Sequence, residues 1–97
     1  MTRFEWDPDK NRRNLAKHRV SFELARHVFE DPFQLSVQDR VENGEVRWQT
    51  LGRVAGTVIL LVAHTVRDED GDEVIRIISA RKADRTERER YEQAVSR

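Results

Sequence analysis

Two long strand-like runs joined by a short acidic turn constrain this chain most: "TVILLVAHTVRDEDGDEVIRIISAR", residues 57–81. The turn around Gly71 is too short for a crossover, so the two runs pair as an antiparallel hairpin. The first run is apolar on both faces for most of its length, the pattern of a central strand. Such a hairpin needs cover on both sides, and the remaining residues must supply it.

Cover is legible on either side of the hairpin. "FEW" alternates Phe4 and Trp6 about Glu5 and predicts a short edge strand. "WDPDKNRRNLAKHR" predicts a helix with Asp7 as N-cap and Pro8 in the first helical position, where its missing N–H costs nothing. Leu15 and Ala16 are nearly its only apolar residues, so it lies mostly in solvent. "VSFELARHVFEDP" predicts a second helix capped by Ser21, with Phe22, Leu24, Ala25, Val28 and Phe29 on its apolar face. Val20 packs on Ala25 as a staple, and Pro32 closes the element. "QLSVQ" and "EVRWQTLGR" read as strands, the second with Val46, Trp48 and Thr50 on one face. "DRTERERYEQAV" is a C-terminal helix whose Asp84 and Glu87 have capping-box spacing. The pairs Asp84–Arg88 and Arg85–Glu89 support it, and Tyr91, Ala94 and Val95 form its apolar stripe. The expected fold is α+β, a single domain over residues 1–97: two N-terminal helices, a three- to four-stranded antiparallel sheet and a C-terminal helix.

Charged residues make up 37% of the chain and so does the hydrophobic set, which predicts an ionic surface over a thin core. The absence of cysteine excludes disulfides, thiolate catalysis and cysteine-ligated zinc. "TVILLVA" is of strand length, well short of the ~18 residues of a membrane span. "MTRFEWDPDK" lacks the apolar segment of a signal peptide, so the expectation is a soluble cytoplasmic protein. Net charge is zero, yet residues 54–75 hold Arg67 against five acidic side chains, while residues 76–97 hold seven basic against four acidic. A local positive field is therefore compatible with overall neutrality.

Few residues offer chemistry. His18, His27 and His64 lack the spacing of a metal motif, and neither a metal nor a cofactor is expected. His64 shares its strand face with Val58, Leu60 and Val62, the setting of a core histidine. The acidic turn is too short for a calcium loop. Arg53, Arg67, Arg76 and Arg81 remain, all on or ending strands. Arg76 and Arg81 are five residues apart, so a regular strand points them to opposite faces, ~15 Å apart along it. A bulge near Ser79, or a strand ending before Arg81, puts them on one face. Periodicity alone leaves two readings open: a phosphate site, or edge charges partnered by carboxylates such as Glu45 or Glu87.

Three blocks of sequence resemble the BrnT family of bacterial type II toxins. They are "FEWDPDKNRRNLAKHRVSFELARHVFEDP", "GEVRWQTLG" and "HTVRDEDGDEVIRIISARKADRTERERYE", together covering most of the chain in order. The resemblance implies a RelE-like fold and a ribonuclease. It also implies neutralisation by a BrnA-like ribbon-helix-helix antitoxin, with operator DNA bound only through that partner and a dimer within the complex. Arg19 stands where the family often has glycine after "KH", at a helix C-cap where a left-handed residue costs ~1 kcal/mol.

On that footing the expected chemistry is metal-independent attack of the ribose 2′-hydroxyl on the neighbouring phosphate. Arg67, Arg76 and Arg81 are the candidates for holding the charged phosphorane, since a guanidinium binds two phosphate oxygens at any cellular pH. Glu45 and His64 are candidate bases, and Lys17, Arg53 and Lys82 are candidates for positioning RNA. The alternative is a non-catalytic module that binds the antitoxin as a co-repressor.

Overall fold

In a computed structural model describing residues 1–96, the chain forms β1 (Thr2–Glu5), α1 (Pro8–His18), α2 (Phe22–Ala25) and a 3-10 helix (Arg26–Glu30). β2 (Leu35–Glu42), β3 (Glu45–Val54), β4 (Val58–Glu69), β5 (Asp72–Lys82) and α3 (Arg85–Val95) follow. The α+β class and the β4–β5 hairpin are as the sequence predicts. The sheet is not: it has five strands in the order β1-β5-β4-β3-β2, and it is mixed. β1 runs parallel to β5, with Thr2 opposite Glu73 and Glu5 opposite Arg76. No tight turn links β1 to its neighbour in the sheet, so nothing forces the antiparallel direction.

The helix ends follow their local chemistry. The Asp7 carboxylate accepts the Asp9 N–H at 2.8 Å, and Ser21 Oγ accepts the Leu24 N–H at 3.0 Å. Asp84 and Glu87 close a reciprocal capping box at 2.8 and 2.9 Å. Arg19 does adopt the left-handed C-cap, at φ 60° and ψ 25°. The second helix is shorter than its apolar pattern: after Ala25 it tightens into the 3-10 segment, whose final turn places Asp31 beneath β3.

The two faces of the sheet are covered differently. Val54, Leu60, Val62, Ile75, Ile77 and Ala80 pack against Val20, Phe22, Ala25 and Val28, forming the larger core. Leu51, Ile59 and Leu61 pack on the other face against Ala83 and Tyr91, beneath α3. Gly52 on β3 lets Val28 approach closely, since a Cβ there would lie 2.7 Å from Val28 Cγ1 and 2.9 Å from its carbonyl oxygen. α1 docks on β5 through one buried amide. Asn14 donates to the carbonyls of Val20 and Ala80, each at 2.8 Å, and accepts the Ala80 N–H at 3.1 Å. That pair of bonds gives Ala80 the partner that a neighbouring strand would have supplied.

Candidate active site on the open sheet face

β5 carries a bulge. Ala63 pairs with Ser79 and the next residue, His64, pairs with Ile77, so Ile78 is the extra residue. The bulge resets the alternation between Arg76 and Arg81. Arg81 lies opposite Leu61, a residue of the core beneath α3, and Arg76 lies opposite Thr65. Both therefore face the α3 side. Arg67, two residues after Thr65, and Glu5, opposite Arg76, share that face. Toward the β2–β3 and β4–β5 turns this face is open, because α3 covers only the end where Leu51, Ile59 and Leu61 lie.

Glu5 joins two of the arginines. It accepts from Arg67 Nη1, and its other carboxylate oxygen is 3.8 Å from Arg76 Nη1. Arg67 also binds Glu69 through Nη2 at 2.7 Å and Nε at 3.1 Å. The hydrogen bonds to Glu5 and then Glu69 push the Arg67 pKa up, fixing its charge. Glu69, held by Arg67 and then Arg3, has its pKa lowered. Arg81 forms a separate fork with Glu87, at 2.8 and 2.9 Å, which raises the arginine's pKa; the carboxylate's is lowered. Arg76 and Arg81 share a face but lie four pairing steps apart on β4, roughly 14 Å.

The other residues singled out by sequence are dispersed. Glu45 is exposed at the start of β3, on the α3 side by alternation, opposite Glu42 across the hairpin. His64 lies on the opposite face and is 3% exposed. Its Nε2 is 2.7 Å from Thr50 Oγ1, and its ring meets Phe29 edge-on at 4.8 Å. Burial pushes its pKa down to about 4, outweighing the nearby Thr65 carbonyl. The expectation of His64 as a base is corrected on this geometry: it points into the helix-covered core, away from the arginines. Arg53 belongs to the far end of the sheet, where its guanidinium lies 5.5 Å from the centre of the Tyr91 ring. Lys82 is exposed at the end of β5, on the other face from Arg81 by alternation, and Lys17 is exposed on α1.

Two features escaped the sequence reading. Arg47 is one step beyond the last registered β3–β4 pair, Trp48 with His64, which sets it beside Thr65 on the α3 side. It faces Arg40 across β2, and its nearest carboxylate oxygen, on Glu42, is 3.9 Å away. Its Nε is buried without a hydrogen-bond partner among the described residues. A charged residue between Val46 and Trp48 in mid-strand was the available signal. The second is Asp31, which accepts from the Tyr91 hydroxyl, from the Arg53 N–H at 2.7 Å and from the Phe33 N–H at 2.9 Å. Burial pushes its carboxyl pKa up, but these donors together outweigh burial and hold it below the ordinary value. This bond network fastens α3 to the rest of the fold.

Among the described residues no three His, Cys, Asp or Glu side chains gather to hold a metal ion, and no helix is long and apolar enough to cross a membrane.

A small α+β scaffold with an open, arginine-lined sheet face belongs to a class of surface suited to phosphate esters. The chain itself is a member of the BrnT family: the family model "Ribonuclease toxin, BrnT, of type II toxin-antitoxin system" matches residues 6–87. Its fold is similar to the crystal structure of the Brucella abortus ribonuclease toxin, BrnT. That match has a TM-score of 0.60 and 23% identity, and it covers 88% of this chain and 99% of that one. No curated protein matches the chain. Membership in a type II toxin family implies an antitoxin partner.

Proposed function

We propose that this chain is an endoribonuclease toxin that cleaves RNA by metal-independent transesterification on the α3-side sheet face. The observation that carries this reading is the Ile78 bulge, which turns Arg76 and Arg81 to the face that already holds Arg67. In the proposed reaction the 2′-oxygen forms a bond to phosphorus as the bond from phosphorus to the 5′-oxygen breaks. The products are a 2′,3′-cyclic phosphate and a 5′-hydroxyl end. Arg67 and Arg76 neutralise the phosphorane, and Arg47 on the same face adds a third guanidinium. Glu5 is the carboxylate already between two guanidiniums. Incoming phosphate competes for those donors and frees Glu5 to take the 2′-hydroxyl proton, a role Glu45 on the same face shares as a candidate. Arg81 is a poor proton donor with its pKa raised, so water at the open face protonates the leaving oxygen.

The partner we propose is a ribbon-helix-helix antitoxin, with operator DNA bound only through the complex and a dimer formed within it. The family's type II toxin–antitoxin assignment supports this reading. A second reading, a non-catalytic co-repressor that binds the antitoxin, is favoured by one observation: Arg67 and Arg81 are both forked onto carboxylates.

Purified protein free of antitoxin, incubated with a long RNA in EDTA, separates the two. Cleavage leaving cyclic phosphate ends, and its loss in Arg67→Ala and Arg76→Ala, is the expected result. No cleavage by the wild type favours the co-repressor, and equal cleavage by the variants removes the arginine mechanism.

A further inference from the structure

Neutral overall charge conceals a strongly polarised surface. Residues 8–19 contain Lys10, Arg12, Arg13, Lys17 and Arg19 against Asp9 alone, whereas the β4–β5 turn holds Asp68, Glu69, Asp70, Asp72 and Glu73. Most arginines of the sheet are tied to carboxylates. On α1 only Arg12 is, through Asp9. Lys10, Arg13 and Lys17 have no ion-pair partner among the described residues. Their spacing of three and then four residues places all three on one side of the helix.

That side borders a groove of about 280 Å³ between α1 and the bulge of β5, lined by Lys10, Arg13 and Lys17 together with Ile78 and Ser79. The groove exists because β1 stops pairing at Arg76, after which Asn14 of α1 takes over the edge of β5 at Ala80. The bulge fills the interval between those two partners. Ser79, opposite Ala63, faces the α3 side between Arg76 and Arg81, so the groove opens at Ser79 onto the arginine face.

We propose that this groove holds the phosphodiester backbone of single-stranded RNA next to the nucleotide engaged by the arginines, with Lys10, Arg13 and Lys17 each meeting phosphate. The inference rests on the reading of the chain as an RNA-directed toxin and extends it to a second, positioning surface. Three unpaired cations along an open, shallow groove suit a flexible polyanion that can follow the helix. The half-buried Ile78 gives the sugar and base an apolar floor. An acidic protein segment would satisfy the same charges, and the test separates it from RNA.

The probe is a fluorescent 2′-O-methyl oligonucleotide, which the proposed reaction cannot cleave, with binding followed by anisotropy across a salt series. Each phosphate contact on a single strand contributes about −0.7 to the slope of log K against log salt, so three contribute about −2. Wild-type affinity should therefore fall roughly 20-fold more between 50 and 200 mM salt than that of Lys10→Gln/Arg13→Gln/Lys17→Gln. Each single variant should remove about a third of that difference, which keeps the test valid if the triple variant folds poorly. Arg12→Gln, ion-paired outside the groove, should leave the slope near wild type. Equal slopes for wild type and triple variant overturn the proposal, as does a wild type that does not bind. So does a triple variant that keeps its RNA slope but escapes neutralisation by the antitoxin, which would give the groove to a protein partner. A wild type that binds through these residues yet cleaves no RNA removes the catalytic reading and leaves the groove assignment standing.

Discussion

The two faces of the sheet treat their polar residues in opposite ways. On the helix-covered face Ser36, Thr50 and His64 bond to one another in a chain, 2.7 Å at each link, and His64 is sealed under Phe29. On the α3 side Arg67 and Arg76 stay partly exposed, with side chains 44% and 42% accessible, each within ion-pair reach of a carboxylate. Burial makes the first group structural. Accessibility together with exchangeable partners is what the proposed binding surface requires of the second. Histidine, the most reactive side chain by type, is thus buried on the face opposite the arginines, while residues that look like surface ion pairs stand exposed on the α3 side.

The sharpest way to break this comparison is to mutate both faces. Arg76→Ala and Arg67→Ala should each lower the rate of RNA cleavage by about 10²–10³-fold, the usual effect of removing a donor that stabilises developing charge. His64→Gln should keep cleavage within a few-fold below its melting temperature while lowering that temperature. Loss of cleavage in His64→Gln comparable to Arg76→Ala would place the histidine in the reaction after all.

A second test uses pH. The folded-state pKa of His64 is pushed down to about 4, below its ordinary value near 6.5. Above pH 6.5 both folded and unfolded histidine are neutral, and the group adds no pH dependence. As pH falls from 6.5 toward 4 the unfolded state takes up a proton that the folded state refuses, so stability declines. The loss amounts to roughly 3 kcal/mol by pH 4. Urea unfolding between pH 7 and 4 should show this decline in the wild type and not in His64→Gln. Asp31 acts further down: its lowered pKa adds stability that is present above its unfolded value and lost as pH falls below about 4. An unchanged profile in His64→Gln would mean that another group carries the transition.

The central hairpin, the caps and the burial of His64 could be read from sequence, because each depends on residues close in the chain or on a single period. The placement of the arginines depended on the Ile78 bulge. Five-residue spacing between Arg76 and Arg81 states the need for such a bulge but contains no residue that dictates it. The parallel direction of β1 was hidden for a similar reason: four residues without a turn leave strand direction to tertiary packing. Arg47 was missed although its charge interrupts an apolar strand, and of the three groove cations only Lys17 was a candidate from sequence. Whether an arginine or lysine is already paired depends on contacts between distant segments, such as Glu5 with Arg67.

Packing supplies a smaller effect on the covered face. Gly52→Ala puts a methyl group 2.7 Å from Val28 Cγ1 and 2.9 Å from the Val28 carbonyl oxygen, in the larger core. Overpacking of this kind should cost about 1–3 kcal/mol, visible as a lower denaturant midpoint. Because Arg76 and Arg67 sit on the other face, cleavage at saturating RNA should change little in the folded variant. A large loss of rate with an unchanged midpoint would show that the two faces are coupled through β3 and β4.

The smallest expected effect concerns Arg19, which ends α1 in the left-handed conformation with its N–H bonded to the Leu15 carbonyl at 2.9 Å. A residue with a Cβ costs about 1–2 kcal/mol there. Glycine removes that cost but adds about 0.4–1 kcal/mol of unfolded-state entropy. On backbone terms alone Arg19→Gly should therefore gain about 0.5–1 kcal/mol in thermal or urea unfolding. The charge works against this gain, since a cation at a helix C-terminus is favourable by about 0.3–1 kcal/mol. Arg19→Gln separates the terms, because glutamine keeps the strained backbone conformation and removes only the charge. If both variants lose stability, the charge outweighs the strain. In either case Arg19 lies outside the groove lined by Lys10, Arg13 and Lys17, so the salt dependence of RNA binding should stay near wild type. A marked fall in that slope would extend the RNA-binding surface to the end of α1 and weaken the distinction between its paired, capping and unpaired cations.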